Sequence, residues 1–381
     1  MEVTSTEQVG KVADAVGVNP THTYSRTITG FAAAVSPKQQ QRLERDPRVL
    51  SVTADVSVVQ KQPNVTPMPE QPPQFVTSGV RRVGGLSSPT AKIDGIDERV
   101  DADVAVLDTG VDSAHPDLNV AGGVNCAGGK GWHDRDGHGT LVAGFVGAID
   151  NSYGAVGVAP GARVWGVRVA NNGTMITTSA LLCGLEWVTA NSATIEIANM
   201  SLSMQATVTG PCGVPARGNR IDHIHRAVCA ATAAGVTLVA AAGNDAEDAT
   251  DYLPAAYPEV ITVSALADSD GLPGGFGAPP GCEPEALDDH LAFFSNFGSV
   301  VDIAAPGVCI SSTYPGGQYG FGSGTSFAAP LVAGAAALLK ARNPGWSPQA
   351  IRTHLLSTAE AGPIPGDPDA FPEGVLNVGS Y

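Results

Sequence analysis

From residue 79 onward, short apolar runs alternate with stretches of helical periodicity. Apolar runs bounded by turn residues are typical of strands buried on both faces, and intervening helices favour a parallel sheet. The pattern predicts an α/β fold with a mostly parallel sheet and helices on both faces. The predicted strands are Val104–Leu107, Val164–Val169, Glu196–Ser201, Thr237–Ala241, Val260–Ser264 and Val301–Ala304. The predicted helices are Gly139–Gly147, Thr178–Ala190, Ile221–Ala234, Ser326–Ala341 and Ser347–Leu356, the last capped by Ser347.

Residues 1–62 follow the pattern of a small α+β unit. Helices are predicted at Glu7–Val16 and Pro37–Arg45, and strands at His22–Val35 and Val49–Val59, with no strand before the first helix. A unit of this size is marginal alone, so we expect it to dock on a larger partner. Residues 63–78 are rich in Pro and Gln and are predicted to be a linker, followed by the main domain at 79–381.

Composition excludes several classes of partner. The 381 residues carry a net charge of −16, which disfavours nucleic acid and anionic membrane surfaces as partners. No apolar run is long enough to span a membrane. No motif for an organic cofactor is present, and we expect a monomer.

The cysteine count favours an oxidising compartment. Six cysteines allow fifteen complete pairings, so the connectivity does not follow from the sequence. Short separations favour Cys212–Cys229 and Cys282–Cys309, which leaves Cys126 for Cys183. Buried free thiols are the alternative. A zinc site at Asp222, His223 and His225 is rejected, because these side chains do not share one helical face.

Three separate stretches carry candidate chemistry. An apolar strand ends at Asp108, His138 stands at a small-residue helix start, and Ser326 stands at another. A serine needs a base within reach to act as a nucleophile, and a carboxylate can orient that base. Alone, each residue has an ordinary interpretation as a turn, core or capping residue. The chain order Asp, His, Ser is the subtilisin order of the catalytic triad.

The three motifs LDTGVD, DGHGTLVAG and GTSFAAPLVAG resemble the signatures of the subtilisin-like serine proteases. The resemblance implies a secreted endopeptidase in which Asp108, His138 and Ser326 form the triad. It also implies that residues 1–62 are an inhibitory propeptide. Since an extended linker is accessible to a protease folded beside it, we expect autoprocessing between Val59 and Gln74. A linker that is never cut is the alternative.

The same resemblance implies further site residues. Asn244 matches the asparagine that donates to the oxyanion, and proteins and peptides are the expected substrates. The substrate-binding residues it implies are Ser201, Leu202, Ser203, Ala240, Ala241, Ala242 and Gly243. Ser203 stands where the family usually has glycine, and Asp245 at the pocket rim favours a basic substrate residue.

A structural calcium ion is the only cofactor that the resemblance implies. The loop after Gly147 and the segment His115–Leu118 resemble the family's calcium site. The implied ligands are the side chains of Asp117 and Asn151 with the backbone carbonyls of Ile149, Tyr153 and Ala155. An ordinary turn is the alternative for this loop.

The start of the chain and the three motifs bear on export and on two alternative functions. The residues after Met1 are not a basic and then apolar segment, so we expect the chain to lack a signal peptide and its first unit to be truncated. A pseudoprotease would need a missing catalytic group, and none is missing. An esterase of the α/β-hydrolase class would have its Ser before its Asp and His.

Overall fold

The computed structural model describes residues 1–59, 65–68, 72–171, 175–208, 212 and 222–381. Its N-terminal unit is a four-stranded sheet with strand order β2-β3-β1-β4 and two helices. Val12, Phe31 and Leu43 lie in its own small core. The elements are β1 (Glu2–Val3), α1 (Thr6–Val16), β2 (His22–Tyr24), β3 (Gly30–Ala32), α2 (Pro37–Arg45) and β4 (Val49–Ser51).

The prediction that no strand precedes the first helix was wrong. β1 pairs with Gly30 of β3 and with β4 on its other side. Two residues are too short for an alternating pattern, so only the pairing with distant strands defines β1. A missing strand therefore no longer argues for a truncated unit.

Two predicted strands of this unit are each divided in two. Residues 25–27 turn away between β2 and β3 to contact Glu186, and Asp55 turns away before β5 (Ser57–Val59) to contact Ser179. Side-chain contacts with the main domain thus interrupt the runs. β6 (Thr66–Met68) follows the part of the predicted linker that lies outside the described residues.

A central sheet organises the rest of the chain, with strand order β20-β17-β15-β13-β11-β7-β9-β8 and β16 paired to β15. All neighbours in that order are parallel, and β16 is antiparallel. The strands of this part of the chain are β7 (Asp103–Asp108), β8 (Val120–Asn125), β9 (Arg163–Arg168), β10 (Met175–Thr177), β11 (Ile197–Met200), β12 (Met204–Gln205), β13 (Thr237–Ala241), β14 (Tyr252–Leu253), β15 (Val260–Ala267), β16 (His290–Leu291), β17 (Ile303–Pro306), β18 (Ile310–Tyr314), β19 (Gln318–Gly322) and β20 (Gly374–Val375). Of these, β10, β12, β14, β18 and β19 belong to separate small sheets.

Helices cover both faces of this sheet, as predicted. Along β7, Val104 and Val106 belong to one apolar core, and Ala105 and Leu107 belong to the other. The helices are α3 (Ser78–Arg82), α4 (His138–Gly147), α5 (Thr178–Ala190), α6 (His223–Ala233), α7 (Thr325–Arg342) and α8 (Pro348–Thr358), with short 3₁₀ turns at Gly85–Ser87 and Ala249–Asp251. α4 and α7 pack on one face, and α5 and α6 on the other.

The predicted elements of the main domain exist, with bounds that differ by a few residues. β13 and α5 have the predicted bounds, as does α2 of the N-terminal unit, and Ser347 caps α8 by accepting a hydrogen bond from Ala350 N–H. The end of β15 lies three residues beyond the predicted one. β17 begins and ends two residues later than predicted, and Asp302 binds Thr262 and Arg352 before that strand begins. Ile221, the predicted start of α6, lies outside the described residues.

Three disulfides confirm the pairing that short separations favoured. They join Cys126 to Cys183, Cys212 to Cys229 and Cys282 to Cys309, and no cysteine is free. The free-thiol alternative was therefore wrong. No helix in the described part of the chain has the length and apolarity needed to cross a bilayer.

Candidate active site

Asp108 and His138 meet at the carboxyl edge of the sheet. Asp108 is the last residue of β7, and His138 is the first residue of α4. His138 Nδ1 lies 2.8 Å from Asp108 Oδ1, and both side chains are buried. Asp108 Oδ1 also accepts from Thr109 N–H at 2.7 Å, whereas its Oδ2 has no hydrogen-bond partner among the described residues. The carboxylate therefore fixes the ring through one oxygen.

Opposing effects set the protonation of His138. Burial by itself would lower the pKa of His138, but the charge of Asp108 and the hydrogen bond to it raise that pKa above its ordinary value. Asp136 and Asp134 raise the pKa further. The site thus favours the imidazolium, which is the form created when the ring takes a proton from a nucleophile.

A second carboxylate holds the segment before His138 in place. Asp134 Oδ1 accepts from Thr109 Oγ1 and Gly137 N–H, and its Oδ2 accepts from Thr140 N–H and Oγ1. Thr109 Oγ1 in turn accepts from Gly139 N–H at 2.9 Å. This network ties the Asp108 turn to the first turn of α4. The sequence analysis missed Asp134, although its place between two motifs was a usable signal.

Ser326 enters the same region from α7. Phe327 lies with its ring centroid 5.5 Å from that of His138 and 5.4 Å from that of Phe145 in α4. α7 therefore packs its first turn directly against the histidine. Within the described residues Ser326 Oγ forms no hydrogen bond with His138, a contact that often tightens only when substrate is bound.

Asn244 lies beside the serine with its side chain fixed. Its Oδ1 accepts from Thr325 N–H at 2.8 Å and from Thr325 Oγ1 at 2.9 Å. The point that a β-carbon on Gly324 would occupy is 3.0 Å from Ser326 Oγ and 3.7 Å from Asn244 Nδ2. With its oxygen engaged, the side chain keeps its NH₂ group available on the side of the serine.

The predicted substrate-binding residues lie at the end of one strand and directly after it and its neighbour. β11 and β13 are paired in parallel with Met200 opposite Ala240, so the segments that follow them leave the sheet side by side. Ser201 donates to the Ser326 carbonyl at 2.6 Å and accepts from Asn199 Nδ2 at 2.9 Å. The other predicted members of this set are Leu202, Ser203, Ala241, Ala242 and Gly243, of which all but Ser203 are buried.

Comparison with known proteins agrees with this geometry. The subtilase family model matches residues 101–377 of the chain. The chain belongs to the subtilase family. The peptidase inhibitor I9 model matches residues 2–59. This subtilase is therefore a serine endopeptidase that carries an inhibitor domain of the I9 type.

Relatives of this subtilase are bacterial proteases. It is 36% identical to the alkaline protease of Shouchella clausii over 353 residues, which are 92% of this chain and 79% of that protein. It is 37% identical to subtilisin Savinase of Lederbergia lenta, over 80% of this chain and 98% of the relative. It is 33% identical to subtilisin E of Bacillus subtilis, over 92% of this chain and 80% of the relative.

The I9 domain contacts the peptidase domain through side-chain hydrogen bonds and through strand pairing. Glu186 of α5 accepts hydrogen bonds from the backbone N–H groups of Ser25, Arg26 and Thr27 at 2.6–2.8 Å. Strand β5 pairs antiparallel with β10, with Val59 opposite Met175. β6 then pairs with β19, the strand that leads into Ser326, with Thr66 opposite Phe321. The chain thus pairs with strands of the peptidase domain both before and after residues 60–64, which lie outside the described part of the chain.

The predicted calcium loop surrounds Asp117. The fully buried carboxylate of Asp117 accepts hydrogen bonds from Asn151 Nδ2 at 2.8 Å, Ala155 N–H at 2.9 Å and Tyr319 Oη at 3.1 Å. Burial raises the pKa of Asp117 to about 7, against the lowering effect of these hydrogen bonds. Gln74, which the sequence analysis missed, joins the loop by accepting from Asn151 N–H at 2.5 Å.

The oxygen atoms of this loop fit the ligand set of a calcium ion. In the described part of the chain, the carbonyls of Ile149, Tyr153 and Ala155 accept no hydrogen bond, although the residues are buried or half-buried. Asn151 and Asp117 touch, so rotating the amide would present two side-chain oxygens together. Unsatisfied carbonyls and a buried carboxylate are the ligands that calcium prefers.

Proposed function

We propose that this subtilase cleaves peptide bonds through an acyl-enzyme formed on Ser326. His138 takes the Ser326 proton as the hydroxyl attacks the substrate carbonyl, and later returns a proton to the leaving amine. Asp108 holds the ring and stabilises the imidazolium. The observation that carries the proposal is the buried 2.8 Å Asp108–His138 hydrogen bond, with the serine helix packed against the same ring.

Asn244 and the backbone of Ser326 would stabilise the oxyanion. Donors fixed in advance stabilise charge where it develops, without reorganising during the reaction. Thr325 supports this role because it occupies the Asn244 oxygen and leaves the amide N–H groups free. An extended substrate would add a strand along the segment Ser201–Ser203, with residues 240–243 as the facing wall.

The I9 domain would hold the enzyme as a zymogen until autoprocessing. The proposed interval from Val59 to Gln74 includes residues outside the described part of the chain. Pairing of β5 with β10 and of β6 with β19 supports it, because the interval begins at the end of β5 and contains β6, whose partner β19 leads into Ser326. Three disulfides support export to an oxidising compartment.

A structural calcium ion would be held by Asp117, Asn151 and the three carbonyls of their loop. When bound, the ion would supply positive charge against the buried carboxylate of Asp117, which Tyr319 of β19 also contacts. Chelation is expected to lower the melting temperature, and Asp117→Asn should remove most of that effect. An unchanged melting temperature on adding chelator would count against the site.

The experiment that tests the function is labelling with an active-site phosphonate, together with sequencing of any new N-terminus. The wild-type chain should be labelled and should generate a new N-terminus within the proposed interval. Ser326→Ala should do neither, while Ser323→Ala, three residues away, should still be labelled. Labelling that persists in Ser326→Ala would overturn the assignment. Specificity is tested by peptides ending in Phe, Leu and Arg, since Asp245 favours Arg at the cleaved position.

A further inference from the structure

The loop between β15 and β16 is fastened at both ends. Asp268 follows β15 directly, and β15 pairs antiparallel with β16, with Ala267 opposite His290. The Cys282–Cys309 disulfide ties the loop to the turn beside Ser323, whose hydroxyl accepts from Cys309 N–H at 3.1 Å. Whatever stabilises this loop therefore also braces the turn that leads to Ser326.

Three carboxylates converge at the base of the loop. One oxygen from each of Asp268, Asp270 and Asp288 lies within 4.8 Å of the others, and Asp268 and Asp288 are buried. Like charges this close repel, and burial adds a desolvation penalty. Within the described residues, none of the three forms a salt bridge, and the neighbouring Arg82 is paired with Asp289 and Glu360 instead.

A separate observation at Asp268 points to a missing partner. This side chain is only 1% exposed, and its Oδ1 accepts from Gly271 N–H at 3.1 Å. Its Oδ2 has no hydrogen-bond partner among the described residues. Buried polar atoms are rarely left unsatisfied unless an ion or a water completes them. The exposed Asp270 gives a hydrated ion access to this point.

Asp288 differs from Asp268 in being well supplied with donors. Its Oδ1 accepts from Ser269 N–H and Oγ, and its Oδ2 accepts from Gly277 N–H at 2.7 Å. These bonds fix the position of the Asp288 carboxylate and satisfy both of its oxygens. The cluster therefore combines a fixed carboxylate, an unsatisfied buried oxygen and an exposed third carboxylate.

We propose that Asp268, Asp270 and Asp288 bind a calcium ion. A set of oxygen donors alone suits calcium or magnesium rather than a transition metal. Calcium accepts irregular geometry and completes its shell with water, whereas magnesium demands a near-ideal octahedron. The site is distinct from the loop around Asp117 and does not depend on it.

The test measures calcium stoichiometry in the full-length chain carrying Ser326→Ala, which prevents self-digestion. Asp270→Asn removes one charge but keeps an oxygen to accept from Leu272 N–H. Equilibrium dialysis of chelator-stripped protein should show one calcium lost, or bound at least tenfold more weakly. Glu285→Gln is the matched control, because it makes the same charge change at an exposed position of the same loop.

Failure of this site is distinguishable from failure of the Asp117 site. Asp117→Asn should remove a different calcium, so the double variant should lose both. The proposal is overturned if Asp270→Asn binds calcium with unchanged number and affinity. Magnesium binding as tight as calcium binding would overturn the choice of ion.

The variant Asp268→Asn provides a second test, because its effect on the melting temperature should differ between chelator and saturating calcium. In chelator, removing a buried unpaired charge should leave the melting temperature unchanged or raise it. In saturating calcium, the same change should lower the melting temperature relative to the parent. An effect of equal sign and size in both conditions would mean that Asp268 is only a structural carboxyl. If the variant fails to fold, the dialysis of Asp270→Asn decides.

Discussion

At the scale of single residues, the candidate site depends on side chains in which one polar atom is held by a hydrogen bond and the other is available. Asp108 uses one oxygen for His138, and Asn244 uses its oxygen for Thr325. His138 is held between burial, which lowers its pKa, and neighbouring carboxylates, which raise it. These hydrogen bonds and opposing effects on the pKa predict how substitutions change catalytic activity as well as stability.

Replacing Asp108 by Asn should lower the activity and move its pH dependence. Only the neutral imidazole acts as the base, so activity falls as pH falls through the pKa of His138, which lies above the ordinary value of about 6.5. Without the carboxylate, the effect of burial dominates and the pKa of His138 falls. The acid limb of the pH profile, where activity falls with falling pH, should therefore move to lower pH. We expect kcat/KM to fall by about 10⁴-fold.

The pH profile of kcat/KM on a chromogenic peptide measures both effects. Asp112→Asn is the control, since Asp112 accepts from Ala114 and Gly316 N–H groups in a nearby turn. Its profile should match wild type. An acid limb that stays in place in Asp108→Asn would show that Asp108 does not set the protonation of His138.

Replacing Asn244 by Ala should lower kcat with little change in KM, because an oxyanion donor acts mainly in the transition state. The expected loss is roughly 10²–10³-fold, which is the magnitude established for the oxyanion-hole asparagine of subtilisin, a member of the same family. Thr325→Val keeps the N–H that binds Asn244 but removes the hydroxyl, so its loss should be smaller. A loss confined to KM in Asn244→Ala would contradict the oxyanion role.

At the scale of elements, two helices begin where the catalytic candidates stand. α4 starts at His138 after Gly137, whose φ is +114°, and α7 starts one residue before Ser326. A β-carbon on Gly137 would lie 2.2 Å from the Tyr314 ring. The position of His138 therefore depends on a backbone conformation that only glycine adopts easily.

Replacing Gly137 by Ala should destabilise the fold on the order of 3 kcal/mol, from backbone strain and overpacking together. Gly131→Ala is the matched control: φ is +68° there, but a β-carbon would meet nothing nearer than 4.0 Å. Its cost should be about 1 kcal/mol. Urea unfolding of both variants, made with Ser326→Ala, measures the difference. Equal losses in the free energy of unfolding would show that the Tyr314 ring moves aside without a loss of stability.

At the scale of the whole molecule, the I9 domain and the peptidase domain are joined by hydrogen bonds to two carboxylates. Glu186 accepts from three successive N–H groups, and Asp55 accepts from Ser179 N–H and Oγ. Charge-assisted bonds of this kind are among the stronger ones in proteins. They predict how firmly the inhibitor domain is retained.

Replacing Glu186 by Gln should speed release of the I9 domain after processing. The amide presents N–H where an acceptor is needed, costing about 2–4 kcal/mol and weakening the contact roughly 30- to 1,000-fold. The lag before activity appears measures this release and should shorten. Glu98→Gln, in an exposed pair with Lys92, is the control. An unchanged lag would show that strand pairing alone retains the domain.

The fold and the candidate site differ in how far sequence patterns predicted them. The buried apolar strand β13 and the helix α5 had the expected bounds, because a run of apolar residues or a helical period of apolar residues reflects which positions are buried. β1 was missed because two residues carry no period, and its pairing partners are distant in the chain. Gln74 and Asp134 were missed because their roles arise from contacts across the fold.

The sequence by itself determined the α/β architecture, the family and the identity of the candidate catalytic residues, since motif order and apolar periodicity are properties of the chain. Only the tertiary structure decided which carboxylates are left with an unsatisfied oxygen and which are fully supplied with donors. Asp268 and Asp288 look alike in the sequence, yet they differ in their hydrogen-bond partners. The physical reason is that burial and hydrogen bonding depend on neighbours that folding brings together from distant parts of the chain.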